Sequence, residues 1–318
     1  MESHKKEENK ENQNEIQFNL SEKEKNSIDR LIYSISKSKS TKAQLLEKLR
    51  PFYTLKINPK GEMDKFYSSV EKIEPELIEV NEYEGEKFVE KTIFTTHSKI
   101  EGLRNLDLGL PSNLFRHKPP YDSDNKDNKL DTSKENNTKK YCIYSIIIRL
   151  FRIKLDFNDI KLSKEVMKEL ETVKNSNENE AKVLLKKLSF KFGLYVPLEL
   201  IVGGRISYSF KANSDEEIRE KYSLLKQEIN INNNLSNSSV ENIVKTNDNT
   251  NPSKFLGKIE NLSIKIEGGD YTIKNDLQKW IQSFNIDNLH IIEYKSLQPI
   301  YRFIPGLESK LESLYKDI

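Results

Sequence analysis

Residues 192–204 read Phe192-Gly193-Leu194-Tyr195-Val196-Pro197-Leu198-Glu199-Leu200-Ile201-Val202-Gly203-Gly204. A helical pattern stops at Gly193, an apolar strand follows, and two glycines stand where that strand continues. Glycine inside a strand costs stability and packs nothing against its neighbours. It is tolerated where a sheet bends, bulges or lets another backbone approach closely. Because Arg205–Phe210 resumes a strand pattern, the glycine pair predicts one long, kinked strand. The alternative is a tight loop between two hairpin strands.

Working upstream, Ile28, Leu31, Ile32 and Ile35 keep the i, i+3, i+4, i+7 spacing of an amphipathic helix over 22–37. Ser40 or Thr41 is placed to cap a second helix carrying Leu45, Leu46 and Leu49, closed by Pro51. Residues 52–57, 77–83 and 88–95 read as strands. Residues 141–157 form a long β-rich run interrupted by arginines and lysines expected to face solvent. Ser163 opens a helix with Val166, Met167, Leu170 and Val173 on one face, and a further helix spans about 179–192.

Downstream, Ser214 to Glu217 is a capping box opening a helix to about Ile229. Leu262, Ile264 and Ile266 alternate as a half-buried strand ending at Gly268-Gly269-Asp270, where the glycines would also suit a plain turn. Leu277, Trp280, Ile281 and Phe284 share a helix face, with Trp280 as its core anchor. Residues 289–294 read as a last strand, and 297–304 and 306–315 as short terminal helices. The class is α+β. Residues 141–160, 195–210 and 258–268 are expected as adjacent antiparallel strands of one bent sheet, with Gly203-Gly204 near the bend.

The 318 residues carry 52 Lys+Arg and 50 Asp+Glu, for a net charge of +2. No field of one sign points to nucleic acid, which is excluded as a partner. Hydrophobic residues make up 35% and charged residues 32%, so the folded part is smaller than the chain. Residues 1–20, 122–140 and about 230–253 are polar runs that cannot bury enough surface to offset chain entropy. They are expected as a disordered tail and two disordered insertions. Their Asn and Lys richness is read mainly as composition bias.

One cysteine rules out a disulfide framework and a Cys-rich zinc module. Cys142 is read as a small buried hydrophobe. The start of the chain has no apolar stretch of signal-peptide length. The most apolar window, 141–150, is too short to span a bilayer as a helix. The expectation is a soluble, cytoplasmic chain, with non-conventional secretion left open.

Chemistry is absent from the sequence. There is no nucleotide-binding glycine loop, no H-E-x-x-H and no G-x-S-x-G. A calcium-loop reading of Asp122, Asp124 and Asn125 fails at Asp127, where glycine is needed, and at Ser133, where Glu is needed. His4, His97, His117 and His290 have no partner at ligand spacing, and His290 reads as a structural histidine inside an apolar strand. No catalytic residue, cofactor or metal site is assigned, and the chain is read as a non-enzyme.

The 192–204 stretch resembles the signature of the membrane-attack-complex/perforin (MACPF) superfamily: an aromatic-Gly pair, a short apolar strand, then Gly-Gly. Phe192 and Gly193 match the first pair, and Gly203 and Gly204 the last. The chain departs at Leu194, where a small hydroxyl residue is usual, and at Tyr195, where His is common. No hydroxyl at 194 is thus available for a hydrogen bond at this turn. Gly268-Gly269, then Trp280, then Leu297-Gln298-Pro299-Ile300 is similar to the end of such domains. The likeness is nearest to fungal-type chains without a signal peptide. It covers about 141–305 and, more loosely, 75–140.

The resemblance implies a bent four-stranded antiparallel sheet flanked by helical clusters, with motif and bend residues Phe192, Gly193, Tyr195, Gly203, Gly204, Gly268, Gly269, Trp280 and Pro299. The domain would run over 96–305, with 21–95 as an N-terminal α/β segment that is either separate or part of it, and 306–318 as a terminal helix. Self-association and membrane lipid are the implied partners. In lytic members the clusters unwind into amphipathic hairpins, which here would come from 97–140 and 212–256. Each strand must then alternate over roughly 9–11 residues. Leu106, Leu108 and Leu110 alternate before Pro111, and Ile229 and Ile231 precede Asn-rich sequence, but neither segment holds two such strands. The expected role is therefore a non-lytic interaction protein of the pore-forming lineage, with a pore former as the alternative.

Overall fold

The computed structural model describes residues 22–51, 53–57, 63–71, 73–96, 140–237, 258–273 and 276–307. Helices α1 (Glu22–Lys37) and α2 (Lys39–Leu49) lead into short strands β1 (Thr54–Ile57) and β2 (Met63–Phe66). Strands β3 (Ile78–Glu82), β4 (Phe88–Thr96) and β5 (Lys140–Leu155) follow. Helices α3 (Lys164–Asn175) and α4 (Glu178–Phe192) then precede β6 (Tyr195–Ala212). Helix α5 (Asp215–Asn237), β7 (Ser263–Glu267), α6 (Leu277–Gln282) and β8 (His290–Pro299) complete the order.

All eight strands join one antiparallel sheet built on β5 and β6. These two strands pair from Lys140↔Ala212 to Lys154↔Glu199. The sheet has eight strands rather than four, because each outer lane is shared end to end. On β5, β4 covers the first half and β3 the second. On β6, β8 covers the first half and β7 the second. Over most of its length the sheet is four strands wide, and β1 with β2 extends it beside Tyr195.

The expected strand trio is adjacent and antiparallel, within narrower limits at 140–155 and 263–267. The glycine pair lies inside one continuous 18-residue strand, so the hairpin alternative does not hold. Residues 297–299 belong to β8, which pairs as far as Pro299↔Tyr195, and a 3-10 turn at Ile300–Phe303 stands in place of the rest of the expected 297–304 helix. The first cap of α2 is Ser38, whose hydroxyl accepts from Thr41 N–H at 3.2 Å. Helix α5 continues to Asn237, eight residues past the expected end, and Lys140 already belongs to β5. The rest of the two expected insertions, residues 1–20 and the terminal helix from 308 on lie outside the described residues.

One face of the sheet carries the main core. Tyr144, Ile146, Ile148 and Ile206 cluster with Ile28, Ile32 and Ile35 of α1, Ile218 and Leu225 of α5, and Trp280 and Ile281 of α6. Helix α6 touches both α1 and α5. On the opposite face Ile147, Ile201 and Ile292 form a small separate cluster with Tyr83 and Val89. Burial on both faces explains the three consecutive isoleucines, Ile146, Ile147 and Ile148, of β5.

Candidate functional site

The sheet is creased along a line that crosses every lane. On β5 the register slips by one residue, since Arg149 faces Gly203 while Phe151 faces Val202, leaving Leu150 as a bulge. The β3–β4 turn straddles that bulge, with Tyr83 N–H donating to Leu150 O at 2.9 Å and Arg149 N–H to Lys87 O at 2.7 Å. On β8 the register slips between Ile201 and Val202. The glycines supply the remaining lanes.

A side chain at Gly203 would run into the backbone carbonyl of Ile148, and one at Gly204 into the rings of Phe284 and Trp280. Gly268 and Gly269 hold φ +78 and +67, the left-handed region that glycine alone enters freely. A Cβ on Gly268 would meet Gly204 Cα at 2.9 Å, so the two glycine pairs sit against one another. Trp280 roofs them. It is fully buried, its indole Nε1–H donates to Gly268 O at 2.9 Å, and its ring meets Phe284 edge-on at 4.9 Å. Ser283 Oγ accepts from Asp270 N–H at 2.8 Å and donates to Trp280 O at 2.6 Å, tying the glycine turn to α6.

The other motif residues meet elsewhere, at the first residues of β6, about 26 Å along an eight-residue strand path. Phe192 ends α4 and Gly193 follows at φ +76, where a Cβ would meet the Leu55 backbone at 2.9 Å. Leu194 N–H donates to Leu55 O at 2.8 Å, and Ile300 N–H to Leu194 O at 2.9 Å. Tyr195 pairs with both Leu55 and Pro299, and burial raises its hydroxyl pKa. Leu194 brings no hydroxyl, yet the Phe192 carbonyl accepts from two: Thr54 Oγ1, and Ser69 Oγ at 3.1 Å. The sequence shows both residues, but their distance along the chain hides the role.

The crease also holds charges, among them Arg149, expected to face solvent. Arg149 Nε donates to Glu293 Oε1 at 2.7 Å, with Glu293 completely buried. Arg205 pairs with Glu267 through Nε at 2.7 Å and through Nη2, and Lys265 approaches the same carboxylate at 2.8 Å. Burial pushes the Glu267 pKa up, but Arg205 and Lys265 outweigh it and hold the group at about 2. His290, read as a structural histidine inside an apolar strand, opens β8 opposite Gly203 and is exposed there. Cys142 is buried, which pushes its thiol up to about 12.

Among the described residues no three His, Cys, Asp or Glu side chains are placed to share a metal ion. The arrangement consists of a crease, an indole roof and buried charge pairs across lanes. This bent, glycine-creased sheet accompanies a match of the MAC/Perforin domain family model to residues 87–318. The chain belongs to the MAC/Perforin family. No curated protein matches its sequence. Solved structures similar to the MACPF chain include GNIP1Aa from Chromobacterium piscinae, at 18% identity and TM-score 0.43 over 84% of this chain and 51% of that one. A MAC/Perforin-domain protein from Bacteroides thetaiotaomicron matches at 17% identity and TM-score 0.40, over 76% of this chain and 52% of its own. Vertebrate astrotactin-2, described as a perforin-like membrane protein, matches at 10% identity and TM-score 0.37, over 83% and 41%. The chain thus spans about half the length of the structures it matches. Among the described residues no helix is long and apolar enough to cross a membrane.

Proposed function

We propose that this MACPF chain acts as a non-enzymatic interaction module that does not perforate bilayers. The observation that carries this reading is the charge pattern of α5, the helix leading into the second connection. Residues 215–228 hold eight charges: Asp215, Glu216, Glu217, Arg219, Glu220, Lys221, Lys226 and Glu228. Unwound into a strand, one alternation carries Asp215, Glu217, Arg219 and Lys221, and the other Glu216, Glu220, Lys226 and Glu228. Neither face suits lipid, where a Lys or Arg at mid-bilayer costs about 2–4 kcal/mol. As a helix the same segment buries Ile218 and Leu225 in the core. In the first connection, residues 122–140 hold Leu130 as their only large apolar side chain.

One specific observation favours the second reading, a pore former using 97–140 and 212–256. Thr96↔Tyr141, Lys140↔Ala212 and Ser209↔Ser263 put all four strand ends at one end of the sheet, so both long connections leave side by side. Hairpins extended from there would continue the sheet without a break. Dye release from liposomes at micromolar protein, with electron microscopy of the membranes, separates the two. Intact vesicles without rings are expected, and leakage with rings overturns the non-lytic reading.

A further inference from the structure

We infer that the lysine-bearing face of α4 docks on the glutamate-bearing β3 edge of a second copy of this chain. The inference rests on the interaction-module reading and names its partner.

From residue 182 to 191 helix α4 carries four lysines and no acid. Its outward stripe holds Val183, 55% exposed, and Phe190, 62% exposed, with Lys186 and Lys187 between them. Lys191 is already engaged by Glu165, but Lys186 and Lys187 make no ion pair among the described residues. Val183 stands in water, Phe190 is exposed with Lys56 Nζ over its ring at 3.1 Å, and the cations between them mark a surface suited to an acidic, partly apolar partner.

The chain carries that partner. Between residues 71 and 86 stand seven glutamates and one lysine. All seven glutamates are exposed, and Leu77, 44% exposed, sits among them. Glu82 is taken by Lys87 and Glu84 by Arg152, while Glu74, Glu76 and Glu79 form no ion pair among the described residues. Their strand, β3, ends the strand order of the sheet. Beside Val183, an open groove of about 740 Å³ runs between α3 and α4, lined by Thr172, Asn175, Asn179, Glu180 and Leu184. It is large enough for the turn that carries Leu77.

The acidic run starts beside the segment that leads into α3, the helix packed against α4. The Val70↔Leu162 bridge and the Glu71 N–H to Lys161 O bond, at 2.8 Å, tie the start of the acidic run to the start of α3. Patches of opposite charge on one chain suit a two-fold pair, in which each copy offers both halves and each contact is made twice.

The test is a charge swap on the full chain, read by sedimentation velocity in about 50 mM and about 500 mM salt. The wild type is expected to dimerise in low salt and to dissociate in high salt. K186E/K187E and E76K/E79K are each expected to be monomeric, with wild-type circular dichroism, and their equimolar mixture to dimerise again. A monomeric wild type in low salt, variants that still dimerise, or a mixture that stays monomeric would each overturn the proposal. Pelleting with phosphatidylserine vesicles is the final arm. Binding that K186E/K187E abolishes, without restored pairing in the mixture, assigns the stripe to an anionic membrane surface instead. Vesicle leakage bears on the non-lytic reading alone, so the two proposals fail separately.

Discussion

Arg149 on β5 and Glu293 on β8 are ion-paired although all of β6 lies between their strands. The residue of β6 opposite Arg149 is Gly203, which offers no side chain, and the guanidinium reaches the far lane. Lys295 stands 3.6 Å from the other carboxylate oxygen, which is buried and accepts no hydrogen bond among the described residues. Three lanes are thereby coupled at the crease by one buried pair.

Removing one partner strands the other charge in the interior. Arg149→Ala is expected to destabilise by about 3–5 kcal/mol, whereas the double change R149M/E293L is expected to lie much closer to wild type. Urea unfolding of both variants checks this, and equal losses would refute it.

The four crease glycines are not equivalent. Gly204→Ala presses first on the ring of Phe284 and then on that of Trp280, side chains rather than backbone, at a cost of about 1–3 kcal/mol. Gly203→Ala presses on the Ile148 carbonyl, backbone that cannot yield, and is expected to cost more. Pairing each with Phe284→Leu should recover stability for Gly204→Ala only, as read by thermal midpoints.

Trp280→Phe keeps an aromatic ring but removes the donor that serves the Gly268 carbonyl at 2.9 Å. A loss of about 1–3 kcal/mol is expected by circular dichroism, the range for a buried acceptor left without its partner.

Stability should also depend on acid through Glu267. Its folded pKa, about 2, lies below its ordinary value of 4.5. The contribution is therefore present in full above about pH 4.5 and is lost as pH falls toward 2. Glu267→Gln should shrink the stability difference between neutral and acidic pH, and an unchanged difference would remove Glu267 as its source.

Much of the architecture is legible in local pattern. Helical spacing marks α1 and α3, and the strand pattern on both sides of Gly203-Gly204 marks β6 as one ribbon, because these signals lie within a few residues of each other. What escapes is set by partners far along the chain. Arg149 looks like a solvent residue until Glu293, 144 positions later, is brought beside it. Ser69 and Thr54 look ordinary until they meet the Phe192 carbonyl. The extra length of α5, through Asn-rich sequence of modest helix propensity, has no local signal at all.

The roof over the crease has a practical consequence. Trp280 is the chain's sole tryptophan and its environment is wholly dry. The protein therefore carries a built-in optical gauge: its ultraviolet emission should redden when the fold opens there, and follow that opening in real time without any attached dye.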